Sequence, residues 1–361
     1  MTTPFKGGDV KTDLVLGLAC SLYTIDDDIR VLANAKLTIE PGVTLRFAAD
    51  KELTAGYTES GQIVAEGTAA LPILMTSKLA SPGPGDWAGI TFWAGTSNGS
   101  KLSYVKLDYC GKDDGCIVID NGVKSDRITI DHVTIDHAGN DGIVENGADS
   151  RVKITNTTFP TGAIKAGKYA ITVIAPSFAA IDGTNTFNGA PIELQGGTIE
   201  TGNVNWVNPG TSITVTSNLR VEGSTKPVLN IGPGMTFKFG NDINFWIGYG
   251  DVGRLVVAGT VTSRVTFTSA ATTPGKGDWT GIYLWGKGEA DISFADISYA
   301  GYPGRGAVTV DTENNKLTML SSTVNYSSVV GIYVDCDNKS TVLTAVTYTG
   351  NQSGDRGPTC P

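Results

Sequence analysis

The strongest constraint on this chain is that it repeats itself. Leu37, Ile39, Pro41, Gly42, Thr44 and Phe47 return 192 residues later as Leu229, Ile231, Pro233, Gly234, Thr236 and Phe239. GQIVAEGT at 61–68 returns as GRLVVAGT at 253–260, and PGPGDWAGITFW at 82–93 returns as PGKGDWTGIYLW at 274–285. One offset held across separate segments predicts two related copies in tandem, 1–200 and 201–361. The stretch from about 160 to 225 fits least well, although 170–174 and 213–215 still read as strands. The junction is placed there with no helix expected, and the second copy is read as continuous with the first.

A finer period runs inside each copy. Ile90–Trp93, Ile117–Asp120 and Ile143–Asn146 recur at spacings of 27 and 26 residues. Leu102–Tyr104, Arg127–Ile130 and Arg151–Thr155 form a second series, and Leu107–Tyr109, Val133–Ile135 and Thr157–Phe159 a third. Each run alternates apolar with polar over three to five residues and ends in a turn-forming residue, which suits a short strand with one buried face. Three such strands per turn of ~25 residues predict a parallel solenoid whose inward side chains stack into a continuous core. Composition agrees: Gly supplies 46 of 361 residues, while charged residues are 17 %, too few for long Glu-, Lys- and Arg-rich surface helices.

With its PGPGDWAGI and PGKGDWTGI turns and this short-strand period over nearly the whole chain, the sequence resembles the secreted bacterial right-handed parallel β-helix proteins, the pectate-lyase-like group. The resemblance implies an all-β, right-handed parallel β-helix of roughly 14 turns. It implies little about activity, because such repeats serve lyases, hydrolases, adhesins and structural modules alike. Within the GDWxG turn, Trp87 and Trp279 are expected to cover an open edge of the core.

A net charge of -9 with no basic patch argues against nucleic acid and anionic membranes as partners. No apolar run approaches the ~18 residues of a membrane span. Leu14–Cys20 is too short for a lipoprotein signal and follows Asp9 and Asp13. The five cysteines contain no CxxC, so disulfides are expected: Cys110 with Cys116 across a short loop, Cys336 with Cys360, and Cys20 left over. Such pairs fit an extracellular or cell-surface location.

A lyase needs a positioned Arg, Lys or Tyr, usually with calcium on the substrate carboxylate; Lys106, Arg127, Arg151 and Lys153 stand singly and read as solvated charges. A hydrolase needs paired carboxylates. The nearest approach is IDHVTIDHAGND at 130–141, where Asp131, His132, Asp136, His137 and Asp141 could supply an acid, a base or a metal ligand, although the matching stretch 319–331 keeps neither His nor Asp.

The period itself exposes another set. Trp93, Asp120 and Asn146 share a strand-end position on successive turns, as do Trp285, Asp311 and Asp335. An aromatic face beside stacked carboxylates and amides suits a sugar ring; the alternative is a strand-end plug above turn-capping Asp and Asn residues. Alternation turns Ile90, Phe92, Phe245, Ile282 and Leu284 inward, and Thr91, Trp93, Tyr283 and Trp285 outward, with Trp246 and Tyr249 adding aromatic surface. The expectation is therefore a secreted or surface-attached module that binds polysaccharide or another surface partner without catalysis. It needs no cofactor, calcium at the acid column being possible. The alternative is a polysaccharide lyase or glycoside hydrolase acting on an acidic glycan, and a third reading is a structural spacer or ice-binding face.

Overall fold

A computed structural model describes residues 5–124, 127–147 and 152–358. Arg151 and Cys360, which figure in the expectations above, lie outside the described residues. The chain divides into two units, Met1–Ile192 and Glu193–Pro361, and each is a parallel β-solenoid.

In the first unit one face carries Glu52–Ala55, Gly89–Phe92, Gly115–Ile119 and Asp141–Glu145 as neighbouring strands. A second carries Gly61–Glu66, Ser100–Ser103, Ile128–Asp131 and Lys153–Thr155. The third carries Ile73–Ser77, Val105–Asp108 and Thr134–Asp136. All pair in parallel, and the register places Ile90 beside Ile117 and Ile117 beside Ile143. These three are fully buried, each contributing roughly 1.5–3 kcal/mol of apolar burial. Phe92, Phe245, Ile282 and Leu284 likewise point inward as expected.

The second unit also has three faces, and Leu219–Val221, Asn244–Ile247, Gly281–Leu284, Gly306–Val310 and Val330–Val334 are neighbours on one of them. Five successive strands of the first unit, Thr44–Phe47, Glu52–Ala55, Gly61–Glu66, Ile73–Ser77 and Gly89–Phe92, have counterparts at the 192-residue offset. These are Thr236–Phe239, Asn244–Ile247, Gly253–Ala258, Val265–Ser269 and Gly281–Leu284.

The PGxGDWxG segment is built the same way twice. Asp86 accepts the backbone N–H of Gly83 at 2.9 Å and Asp278 that of Gly275 at 2.8 Å, closing each turn on its own side chain. Trp87 stacks on Phe47 at 4.3 Å and donates Nε1–H to the Asp108 carbonyl at 2.9 Å. Trp279 stacks on Phe239 at 4.1 Å and donates to the Ser298 carbonyl at 2.9 Å. Both indoles are fully buried, so they fill the core rather than cover an edge of it. The pyrrole N–H finds a strand-end carbonyl, which lets so large a ring go inside. Gly89 and Gly281 follow at φ +120° and +123°, where a Cβ would meet the carbonyl oxygens of Cys116 at 2.5 Å and Ala307 at 2.4 Å; no other residue fits.

A second departure from expectation is a single helical turn, Ala175–Phe178, in the stretch that fits the repeat least well. Pro176 near its start costs no hydrogen bond there, and Ala175, Ser177 and Phe178 bury the turn.

Cys110 and Cys116 form a disulfide with Cα atoms 5.0 Å apart, and Cys20 is free and exposed. Denatured, unreduced protein should yield one titratable thiol; five would overturn the disulfide assignment. Trp87→Ala and Trp279→Ala should each destabilise the fold by about 3–5 kcal/mol in urea unfolding, through cavity formation at a buried stacked ring.

Candidate functional site

The strand-end columns come together as the spacing predicts. Phe92 pairs with Ile119 and Ile119 with Glu145, so the next residues, Trp93, Asp120 and Asn146, stand at one strand exit on successive turns. In the second unit Leu284 pairs with Val310 and Val310 with Val334, which lines up Trp285, Asp311 and Asp335. The acids of the second column are already engaged. Asp311 forms an ion pair with Arg305, and Asp335 accepts the backbone N–H of Asp337 at 3.0 Å.

The aromatic side chains of the second unit gather into a cleft of about 430 Å³, lined by Trp246, Tyr249, Tyr283, Trp285, Tyr302 and Arg305 along with Asp242, Asn244 and Thr280. Two of its walls, Trp246 and Tyr283, belong to one column of the pleat in which Arg220, Trp246, Tyr283, Thr309 and Tyr333 follow one another on successive strands. Arg220 lies 4.7 Å over the Trp246 ring and 5.1 Å over Tyr249, and Arg305 lies 5.7 Å over both Trp285 and Tyr333. Trp246 stacks on Tyr249 at 4.8 Å, and Tyr249 tilts against Trp285 at 5.6 Å. Trp246 and Trp285 are half-buried, and Tyr249 is exposed.

Tyr283 departs from the expected exposure. It occupies an outward position of the pleat but is only 4 % exposed, because other residues of the cleft close over it. Burial pushes its hydroxyl well above the ordinary tyrosine pKa. Arg220 and Arg305 stand alone in the sequence and belong to no motif; only the turn-to-turn register brings Arg220 into line with Trp246.

The stretch 130–141 does not form one site. Asp131 ends a strand of the second face, Asp136 a strand of the third, and Asp141 begins a strand of the first. Asp141 is held by the backbone N–H of Tyr169 at 2.9 Å and the Thr172 hydroxyl at 2.7 Å. His132 and His137 occupy left-handed corners, φ +52° and +48°, where they stack on Tyr104 at 4.4 Å and Tyr109 at 4.7 Å. The second unit builds the matching corner with Tyr299 on Tyr326 at 5.3 Å. One mixed group does converge: His137 Nδ1 is 2.8 Å from Asp108 Oδ1 and 3.4 Å from Asp136 Oδ1. Lys106 Nζ lies 3.5 Å from the second oxygen of each carboxylate, so a cation already balances the pair.

Burial alone would raise the Asp131 carboxyl, but hydrogen bonds from Asn156, Thr155 and His132 outweigh it and hold it down to about 2. The unfolded chain, with an ordinary aspartate near ~3.9, takes up this proton first as the pH falls. Stabilisation by Asp131 is therefore complete above about pH 4 and lost on the way to about pH 2. Asp131→Asn should flatten that part of the stability–pH curve by roughly 1 kcal/mol after allowance for solvent screening, as read by acid titration of the unfolding midpoint.

Residues 8–115 match the family model of the pectate-lyase like beta helix domain. A stretch of 76 residues, 21 % of the chain, is 41 % identical to protein bark beetle of Drosophila melanogaster and covers 2 % of that protein. No solved structure matches the chain. Residues 8–115 are thus similar to the pectate-lyase-like β-helix domain, within a chain whose two units are both parallel β-solenoids.

Proposed function

We propose that the chain is an extracellular or cell-surface module, bacterial in type, that binds polysaccharide or a surface glycan through the aromatic cleft of its second unit, without catalysis. The observation that carries this reading is the convergence of Trp246, Tyr249, Tyr283, Trp285 and Tyr302 with Arg305 around one open cleft. Aromatic faces meet the C–H faces of sugar rings, and the guanidinium and amide groups at the rim meet hydroxyls. The Cys110–Cys116 disulfide supports an oxidising compartment. Asp131, Asp136 and Asp141 are engaged separately, and the Asp108–Asp136 pair is already bridged by His137 and Lys106, which favours binding over hydrolysis. The same reading takes both units as right-handed and as tandem copies of one ancestral segment, 1–200 and 201–361, on the strength of five strands repeated at one offset. Asp311 serves Arg305 rather than a calcium ion.

A glycan array run beside an activity screen on acidic polysaccharides tests the proposal. Retention of a glycan without turnover is expected; turnover would assign a lyase or hydrolase instead, and neither would leave a structural spacer. Trp285→Ala should weaken the retained glycan by about 1–2 kcal/mol, near tenfold in affinity, with an unchanged unfolding midpoint because the ring lies outside the core.

A further inference from the structure

The first unit carries the same Tyr–Trp pair in a different chemical setting. Tyr57 and Trp93 stand 192 residues before Tyr249 and Trp285, and their rings meet edge-on at 5.0 Å. Tyr57 is 61 % exposed, and the Trp93 Nε1–H is buried without a hydrogen-bond partner. Below Trp93 in the column, Asp120 is half-buried and Asn146 exposed. Neither side chain makes a hydrogen bond or ion pair among the described residues. Arg127 reaches the same corner, but its Nη1 donates to the carbonyls of Ala94 at 2.6 Å and Thr96 at 2.9 Å. This is the reverse of the second unit, where Arg305 and the Asp337 N–H occupy the corresponding acids.

We propose that Tyr57, Trp93, Asp120 and Asn146 form a second sugar-binding subsite, which takes a neutral sugar. The proposal rests on the glycan-binding reading above for the class of ligand, and on this column alone for the place. A half-buried carboxylate with no donor is left poorly solvated. Sugar hydroxyls are donors, and an amide one turn away both donates and accepts. The exposed Tyr57 ring and the Trp93 edge supply the apolar wall. The charge of Asp120, which has no ion-pair partner among the described residues, repels a uronate, so this subsite and the arginine-flanked cleft discriminate differently between neutral and acidic chains.

Calorimetric titration of the intact chain tests it, with cellohexaose, mannohexaose and xylohexaose as neutral probes and hexagalacturonate as the acidic one. The W285A variant should still bind at least one neutral probe, and adding D120A should weaken that binding tenfold or more. W285A with D120N should bind hexagalacturonate more tightly than W285A alone does, and no gain would overturn the assignment of Asp120 as the group that discriminates. Loss of all binding in W285A, or unchanged affinity on adding D120A, would overturn the second subsite while leaving the cleft in place. Failure of the parent to bind any of the four probes would overturn the cleft reading and this inference together. Both variants alter solvent-facing side chains, and an unchanged unfolding midpoint confirms that each is folded.

Discussion

Parallel backbone pairing between successive turns fixes where every side chain in each unit can stand. Once Ile90 pairs with Ile117 and Ile117 with Ile143, the positions on either side follow at the ~4.8 Å spacing of neighbouring strands. Inward positions are then mostly apolar, because each stacks on like positions above and below; Glu145, buried beside Ile119, is an exception. Outward positions face no such demand. A column such as Thr54, Thr91 and Val118 in the first unit and Trp246, Tyr283 and Thr309 in the second can differ completely while the core beneath stays the same.

Corners are the costly places in such a fold, since the chain must change direction at each one while keeping its ladder. The first unit turns at Tyr104, His132 and Asn156 between its second and third faces, and at Tyr109 and His137 beyond the third, all with positive φ. Left-handed backbone costs a non-glycine residue roughly 1–2 kcal/mol. Ring stacking one turn apart, Tyr104 on His132 and Tyr109 on His137, offsets part of it. This explains why two histidines beside aspartates resembled catalytic groups in sequence: each follows a strand-ending Asp because that is where the strand stops and the corner begins.

The repeat, the strands and the columns were legible because they depend on spacing alone, and spacing survives in the linear chain. Ile90, Ile117 and Ile143, spaced at 27 and 26 residues, fall in the neighbouring strands Gly89–Phe92, Gly115–Ile119 and Asp141–Glu145 and pair in register. Three things were not legible. The burial of Tyr283 depends on side chains that close over the cleft from other segments, and alternation within one strand carries no information about them. Arg220 and Arg305 acquire meaning only from the rings they cover. A tryptophan beside a tight turn reads as the cover of an open edge; the carbonyls of Asp108 and Ser298, which accept the indole N–H of Trp87 and Trp279 and let the rings go inside, belong to strands about 20 residues away.

The two columns also show how one scaffold can arrive at different surfaces. At the strand exit both units keep a tryptophan followed one turn later by an aspartate, Trp93 with Asp120 and Trp285 with Asp311. In the second unit the segment after Ala300 carries Tyr302 and Arg305 into the cleft, where the arginine neutralises Asp311 and covers Trp285. The segment after Cys110 in the first unit is instead tied into a short loop by the Cys110–Cys116 disulfide and bears Lys112, Asp113 and Asp114. A difference confined to one loop therefore decides whether the aspartate in the column is matched by a cation or left open. Charge at each exit is set by that loop, while the tryptophan-bearing strands beneath it, Gly89–Phe92 and Gly281–Leu284, are the same in length.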